Sequence, residues 1–138
     1  MDAPTAAELE ANPVVQAALA AAWADSLADD PANRHEEGGW IYQNPMTGDV
    51  AVGRAARGEQ ESISLTQPPE WRGFVVVGKF HTHPNPTSEG WNPGTSSQDV
   101  RVDEIHGVPD LIRADDGVYY SGPERRRGGL SGNPGYPA

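Results

Sequence analysis

Two histidines one residue apart, His81 and His83, close the run Phe74-Val75-Val76-Val77-Gly78-Lys79-Phe80, and Asp99 follows within Ser96-Ser97-Gln98-Asp99. On a strand, side chains at i and i+2 share a face, so a strand over residues 74–83 turns both imidazoles one way and Thr82 the other. Two imidazoles and a carboxylate are three ligands for a divalent transition metal, leaving a position open, as a catalytic site requires.

The elements that position these residues follow from local pattern. Asn12-Pro13 starts a helix, with Asn as cap and Pro at the first helical position, and good helix formers run to about Leu27. Val15, Leu19, Trp23 and Leu27 form its expected core stripe. Residues 39–43 and 50–55 read as a hairpin around Asn44-Pro45-Met46-Thr47-Gly48-Asp49, and the alternation of Ile63 and Leu65 with Ser62, Ser64 and Thr66 predicts a third strand. The run from Phe74 predicts a fourth, apolar enough to be central. Pro84, Pro86, Gly90, Pro93 and Gly94 enforce a loop over 84–95. A short helix from Ser96 to His106, closed by Gly107, precedes a second hairpin, 110–113 with 118–120 around Asp115-Asp116-Gly117. The expected fold is therefore α/β in the broad sense, and more narrowly α+β: a mixed, curved sheet with an N-terminal helix and the Ser-x-x-Asp helix packed on it.

Bulk properties narrow the function. A chain of 138 residues suits one domain, expected over residues 1–122, and falls short of the about 250 that a (β/α)8 barrel needs. The 16 Gly and 13 Pro imply many turns and argue against a helical bundle. A net charge of −10, from 20 acidic and 10 basic side chains, repels phosphate backbones, so nucleic acid is not expected as a partner. The absence of cysteine excludes disulfides, thiolate metal sites and Cys nucleophiles. The alanine-rich opening carries Glu8, Glu10 and Asp25 and no basic start, which fits neither a secretory signal nor a membrane span, so the chain reads as soluble. Residues 123–138 read as a mobile Gly-, Pro- and Arg-rich tail, with Arg125-Arg126-Arg127 a solvated charge run.

The order of these features resembles the JAMM (MPN-type, JAB-domain) metallopeptidases, whose motif is an early Glu, then His-Ser/Thr-His-Pro, then Ser-x-x-Asp. Here Glu36 or Glu37, His81-Thr82-His83-Pro84 and Ser96-Ser97-Gln98-Asp99 stand in that order, over roughly residues 35–121. The resemblance implies a zinc site held by His81, His83 and Asp99, a Glu as general base, and Ser96 as a donor to the developing oxyanion. The family's Glu-x-x-Gly-apolar run fits Glu36-Glu37-Gly38-Gly39-Trp40, which selects Glu36, with Glu37 as the alternative because adjacent side chains diverge. Residues 85–95 make the loop between Pro84 and Ser96 longer than the family's usual spacing; a surface loop tolerates such an insertion at small entropic cost. The implied activity is hydrolysis of a peptide or isopeptide bond in a protein or peptide substrate. A narrower likeness to small JAB-like domains of bacterial polymorphic toxin and effector systems implies a larger toxin, or a cognate immunity protein, as partner.

Each motif also has a plainer meaning. Ser96-x-x-Asp99 is the pattern of a helix capping box, as is Thr95-x-x-Gln98. His35 and His106 read as structural or solvated, with His106 at a helix C-terminus, and Asp103 and Glu104 are expected on the wet face of their helix. Trp91 reads equally as a substrate contact or a loop anchor. Two other classes compete: a cupin-like barrel using His-x-His with Glu89, which lacks the second cupin motif, and a non-catalytic binding module on the MPN-type fold.

Overall fold

The computed structural model describes residues 2–91 and 96–131. Pro93, Gly94 and Thr95 of the expected loop, and the tail beyond Ser131, lie outside the described residues. Five strands form one mixed sheet: β1 (Gly38–Gln43), β2 (Val50–Arg54), β3 (Val75–Thr82), β4 (Asp110–Ala114) and β5 (Gly117–Ser121), in the order β2-β1-β3-β4-β5. Only β3 and β4 run parallel, joined through the crossover that contains a helix over Ser97–His106; the other pairs are antiparallel. Two more helices, α1 (Ala6–Ala11) and α2 (Pro13–Asp25), precede the sheet, so the Ser97–His106 helix is α3. The architecture is α+β, and among the described residues no helix is long and apolar enough to cross a membrane.

The sheet has two differently used faces. Ile41, Val77, Phe80 and Leu111 pack with Leu9, Val15, Leu19 and Ala22 of α1 and α2, which is the main core. On the opposite face Trp40 and Tyr42 pack with Leu65 and Val108. That face also carries Lys79 and His81, because Trp40 pairs with Lys79 and Gly38 with His81, and residues directly opposite in an antiparallel pair share a face.

Several expectations change. Helix α1 was not anticipated, although Thr5 and Glu8 make a full capping box there. Asn12 caps α2 as expected, but the helix ends at Asp25 and Leu27 lies in a left-handed turn with φ of 55°. The buried stripe is therefore Val15, Leu19, Ala22 and Ser26, the drift that a period of about 3.6 residues imposes. Leu27 is exposed, and Trp23 lies under the Arg113 guanidinium at 4.3 Å. Residues 62–66 form no strand and pair with neither edge strand of the sheet, β2 or β5; they lie against the face that carries Trp40 and Tyr42. The segment is instead held by Leu65, which is buried and whose carbonyl accepts from Trp40 Nε1 at 3.3 Å. Asp103 is buried on the inner side of α3, contrary to its expected wet position, while Glu104 is exposed. The arginine run is not uniformly solvated, since Arg126 is buried and donates to the carbonyls of Val76 and Gly129.

Candidate metal centre

Register decides which of the two early glutamates faces the histidines. Gly38 stands opposite His81, so Glu36, two residues earlier, continues the face of His81 and His83, while Glu37 continues the face of Thr82. Glu37 N donates to Thr82 Oγ1 at 3.0 Å, and Thr82 N donates to the Glu37 carbonyl at 2.9 Å. The Glu37 carboxylate lies 2.8 Å from Arg54 Nη2 and 2.5 Å from His35 Nε2. Glu36 is pinned from the other side by bonds from its N–H to the Glu59 carbonyl and from Gly58 N–H to its own carbonyl. A side chain at Gly38 would put Cβ 2.3 Å from the Phe80 carbonyl oxygen and 3.0 Å from His81 Cβ, so this glycine is required by close approach.

Four side chains thus meet. Ligand atoms of Glu36, His81 and His83 lie within 4.8 Å of one another. His81 Nε2 and His83 Nε2 are 3.1 Å apart, and Asp99 Oδ2 is 3.3 Å from His83 Nε2 and 3.7 Å from His81 Nε2. A triangle with these sides has all three corners about 2.0 Å from one point, the length of zinc bonds to imidazole nitrogen or carboxylate oxygen. The donor set therefore fits a small divalent transition ion, with His81, His83 and Asp99 able to hold it and Glu36 beside it.

Ser96 is the N-cap of α3: its Oγ accepts from Asp99 N at 3.0 Å, and Asp99 Oδ2 accepts from Ser96 N at 3.2 Å. The capping-box reading and the site reading of this motif both apply, since one carboxylate oxygen closes the helix and stands beside the imidazoles. A hydroxyl that accepts still has its proton to donate, so Ser96 remains available to an oxygen in the cleft.

The surroundings fix the charges. Burial pushes the Glu36 carboxyl up to about 7, against the pull of the two imidazoles. Burial alone would lower His81, but the Asp110, Asp99 and Glu36 carboxylates outweigh it and hold its pKa well above the ordinary value. Burial likewise opposes charge on Asp99, yet the bonds from His81 and His83 hold it far below the carboxylate range. Protons and a cation thus compete for the same anionic pocket.

A cleft of about 420 Å³ opens over these residues, lined also by Glu61, Ile63, Leu65, Trp91 and Gln98. Trp91 is at its rim and half-exposed. The sequence analysis gave no site role to four further residues of this cleft, Lys79, Asp103, His106 and Asp110, all buried. Lys79 Nζ is 2.5 Å from Asp103 Oδ1 and donates to His106 Nδ1 at 3.0 Å. Burial, then the Lys79 ammonium, pushes His106 down to about 4, so it stays neutral. Lys79 was findable, because it stands two residues before His81 on the same face; Asp110 follows only from the parallel register that sets it beside Lys79. His35 is held by Glu37 and the Asn33 carbonyl. Glu89, the acid a cupin-like site would use, is paired with Arg34 at 3.1 Å, and the open five-stranded sheet is not a barrel. Comparison with known proteins finds no matching family model, no matching curated protein and no matching solved structure.

Proposed function

We propose that this chain is a zinc-dependent hydrolase of peptide or isopeptide bonds, of the JAMM type. The observation that carries the reading is the convergence of Glu36, His81, His83 and Asp99, from three separate stretches of chain, at ligand-bonding distances in one cleft. Zinc, when bound there, would supply an acidified water and a Lewis acid for the scissile carbonyl. The protein's own parts then have distinct work. Glu36, on the face of the two histidines and beside the ion position, accepts the proton of the attacking water and returns it to the leaving amine. Ser96 donates to the carbonyl oxygen as it gains charge. The cleft gives an extended polypeptide room to lie across these groups. The resemblance of the motif to the JAMM family supports the same assignment, and the mixed sheet with α3 between β3 and β4 is compatible with a JAB/MPN-like fold.

The test is metal content by elemental mass spectrometry on protein purified without chelator. About one zinc per chain is expected, retained by Glu36→Gln and lost by His81→Ala/His83→Ala. Peptidase activity should then be present in the wild type and absent in Glu36→Gln. A wild type that takes up no zinc when it is offered overturns the hydrolase reading and favours a binding module.

A further inference from the structure

His81 has two ring nitrogens, and only one faces the cleft. Its Nε2 points towards His83 and Asp99, while its Nδ1 lies 3.2 Å from Asp110 Oδ1, beneath the site. Asp110 is 1 % exposed, and it is the first residue of β4. The parallel pairing of β3 and β4 sets Asp110 beside Lys79, and Lys79 N donates to the Pro109 carbonyl at 2.9 Å, so the backbone on either side of this carboxylate is fixed. Asp103 of α3 closes the group from above, 2.5 Å from Lys79 Nζ.

A buried charge is costly unless something compensates it, and three buried ionisable groups, one lysine and two aspartates (Lys79, Asp103 and Asp110), cost more than apolar packing of the same volume. Packing therefore gives no reason for them here. A role beside His81 does. An imidazole that bonds a metal through one nitrogen carries its proton on the other, and a carboxylate accepting that proton fixes both the tautomer and the ring's orientation.

We propose that Asp110 is a positioning residue of the metal centre: its Oδ1 accepts from His81 Nδ1–H and so aims the Nε2 lone pair at the ion position shared with His83 and Asp99. Lys79 and Asp103 pair with each other, and Lys79 stands beside Asp110 in the register of β3 and β4. This rests on the metal reading above, and extends it to a residue outside the motif.

The experiment measures zinc affinity by competition with a chromophoric chelator for wild type, Asp110→Ala, Asp110→Asn and Asp103→Asn, with thermal unfolding of each metal-free protein as the control for folding. Asp110→Ala is expected to lose about 10- to 100-fold in affinity, the usual cost of removing such a partner. Asp110→Asn, which keeps an acceptor oxygen, should recover much of it, and Asp103→Asn should move stability without a comparable loss of zinc. Equal zinc affinity in wild type and Asp110→Ala, or equal losses in the Asp103 and Asp110 variants, overturns the assignment. A measurement on the zinc-loaded wild type needs no variant: nitrogen-15 NMR should show His81 coordinated through Nε2 with a slowly exchanging Nδ1–H. Coordination through Nδ1 overturns the proposal while leaving the metal reading intact; failure of the wild type to bind zinc overturns the metal reading itself.

Discussion

Two adjacent glutamates, of which the Glu-x-x-Gly-apolar run selects Glu36, are separated in the fold by parity. Glu36 and Glu37 differ by one residue, so they fall on opposite faces of the sheet, and the pairing of Gly38 with His81 assigns Glu36 to the cleft. That pairing was not legible in the sequence, because a strand pattern fixes which residues share a face but not which partner stands opposite. The consequence is testable without substrate. A carboxyl whose pKa is raised on folding holds its proton more tightly folded than unfolded. It therefore favours the folded state at pH below its ordinary value of 4.5, and that contribution is lost as pH rises to about 7. Glu36→Gln cannot ionise and keeps what the wild type loses. In urea unfolding with zinc chelated, the variant's stability relative to wild type should grow by about 2–3 kcal/mol between pH 4.5 and pH 8. A difference that stays flat with pH means that Glu36 is not desolvated in the folded chain.

Among the elements, α3 joins structure to chemistry at one end. Its capping box was legible from Ser96-x-x-Asp99, as were both hairpins from their turn residues, because these signals are local. What failed was non-local. Residues 62–66 have the alternation of a strand, yet Ile63 and Leu65 pack over the face of the sheet with Trp40 and Tyr42 instead of pairing at an edge. Asp103 reads as a surface residue until α3 is laid over β3, where Lys79 meets it. The two roles of Ser96 can be divided by substitution. Ser96→Ala removes cap and donor, and should cost about 1 kcal/mol of stability. Ser96→Gly caps nearly as well, at a cost of a few tenths of a kcal/mol, but has no hydroxyl. If Ser96 donates to the oxyanion, both variants should lose about 100-fold or more in kcat despite their different stabilities. Activity that follows stability, with Ser96→Gly near wild type, assigns the serine to the cap alone.

At the scale of the whole molecule, the two ends of the described chain close on each other. Thr5 bridges Arg125, and Ala6 N donates to the Glu124 carbonyl at 2.8 Å, so the segment after Gly122 satisfies one of the free N–H groups at the start of α1. Arg126 then reaches the Val76 carbonyl on β3 at 2.8 Å, and Leu130 packs against the main core. Composition alone marked this segment as a tail, since Gly, Pro and Arg are what tails contain; its anchoring combines backbone bonds with one buried guanidinium, which no periodicity announces. Bonds from a charged donor contribute about 1.5–3 kcal/mol each. A chain ending at Gly122 should therefore lose at least about 3 kcal/mol, or about 10 °C in melting temperature for a domain of this size. Arg126→Ala in the full chain should give a large part of that loss. Zinc bound per folded chain should stay at the wild-type level in Arg126→Ala, whereas the truncation also removes the bond from Arg127 N to the Gly107 carbonyl at the end of α3. Unchanged melting on truncation would support the expected domain boundary at Gly122; loss of zinc without loss of stability would instead tie this segment to the site.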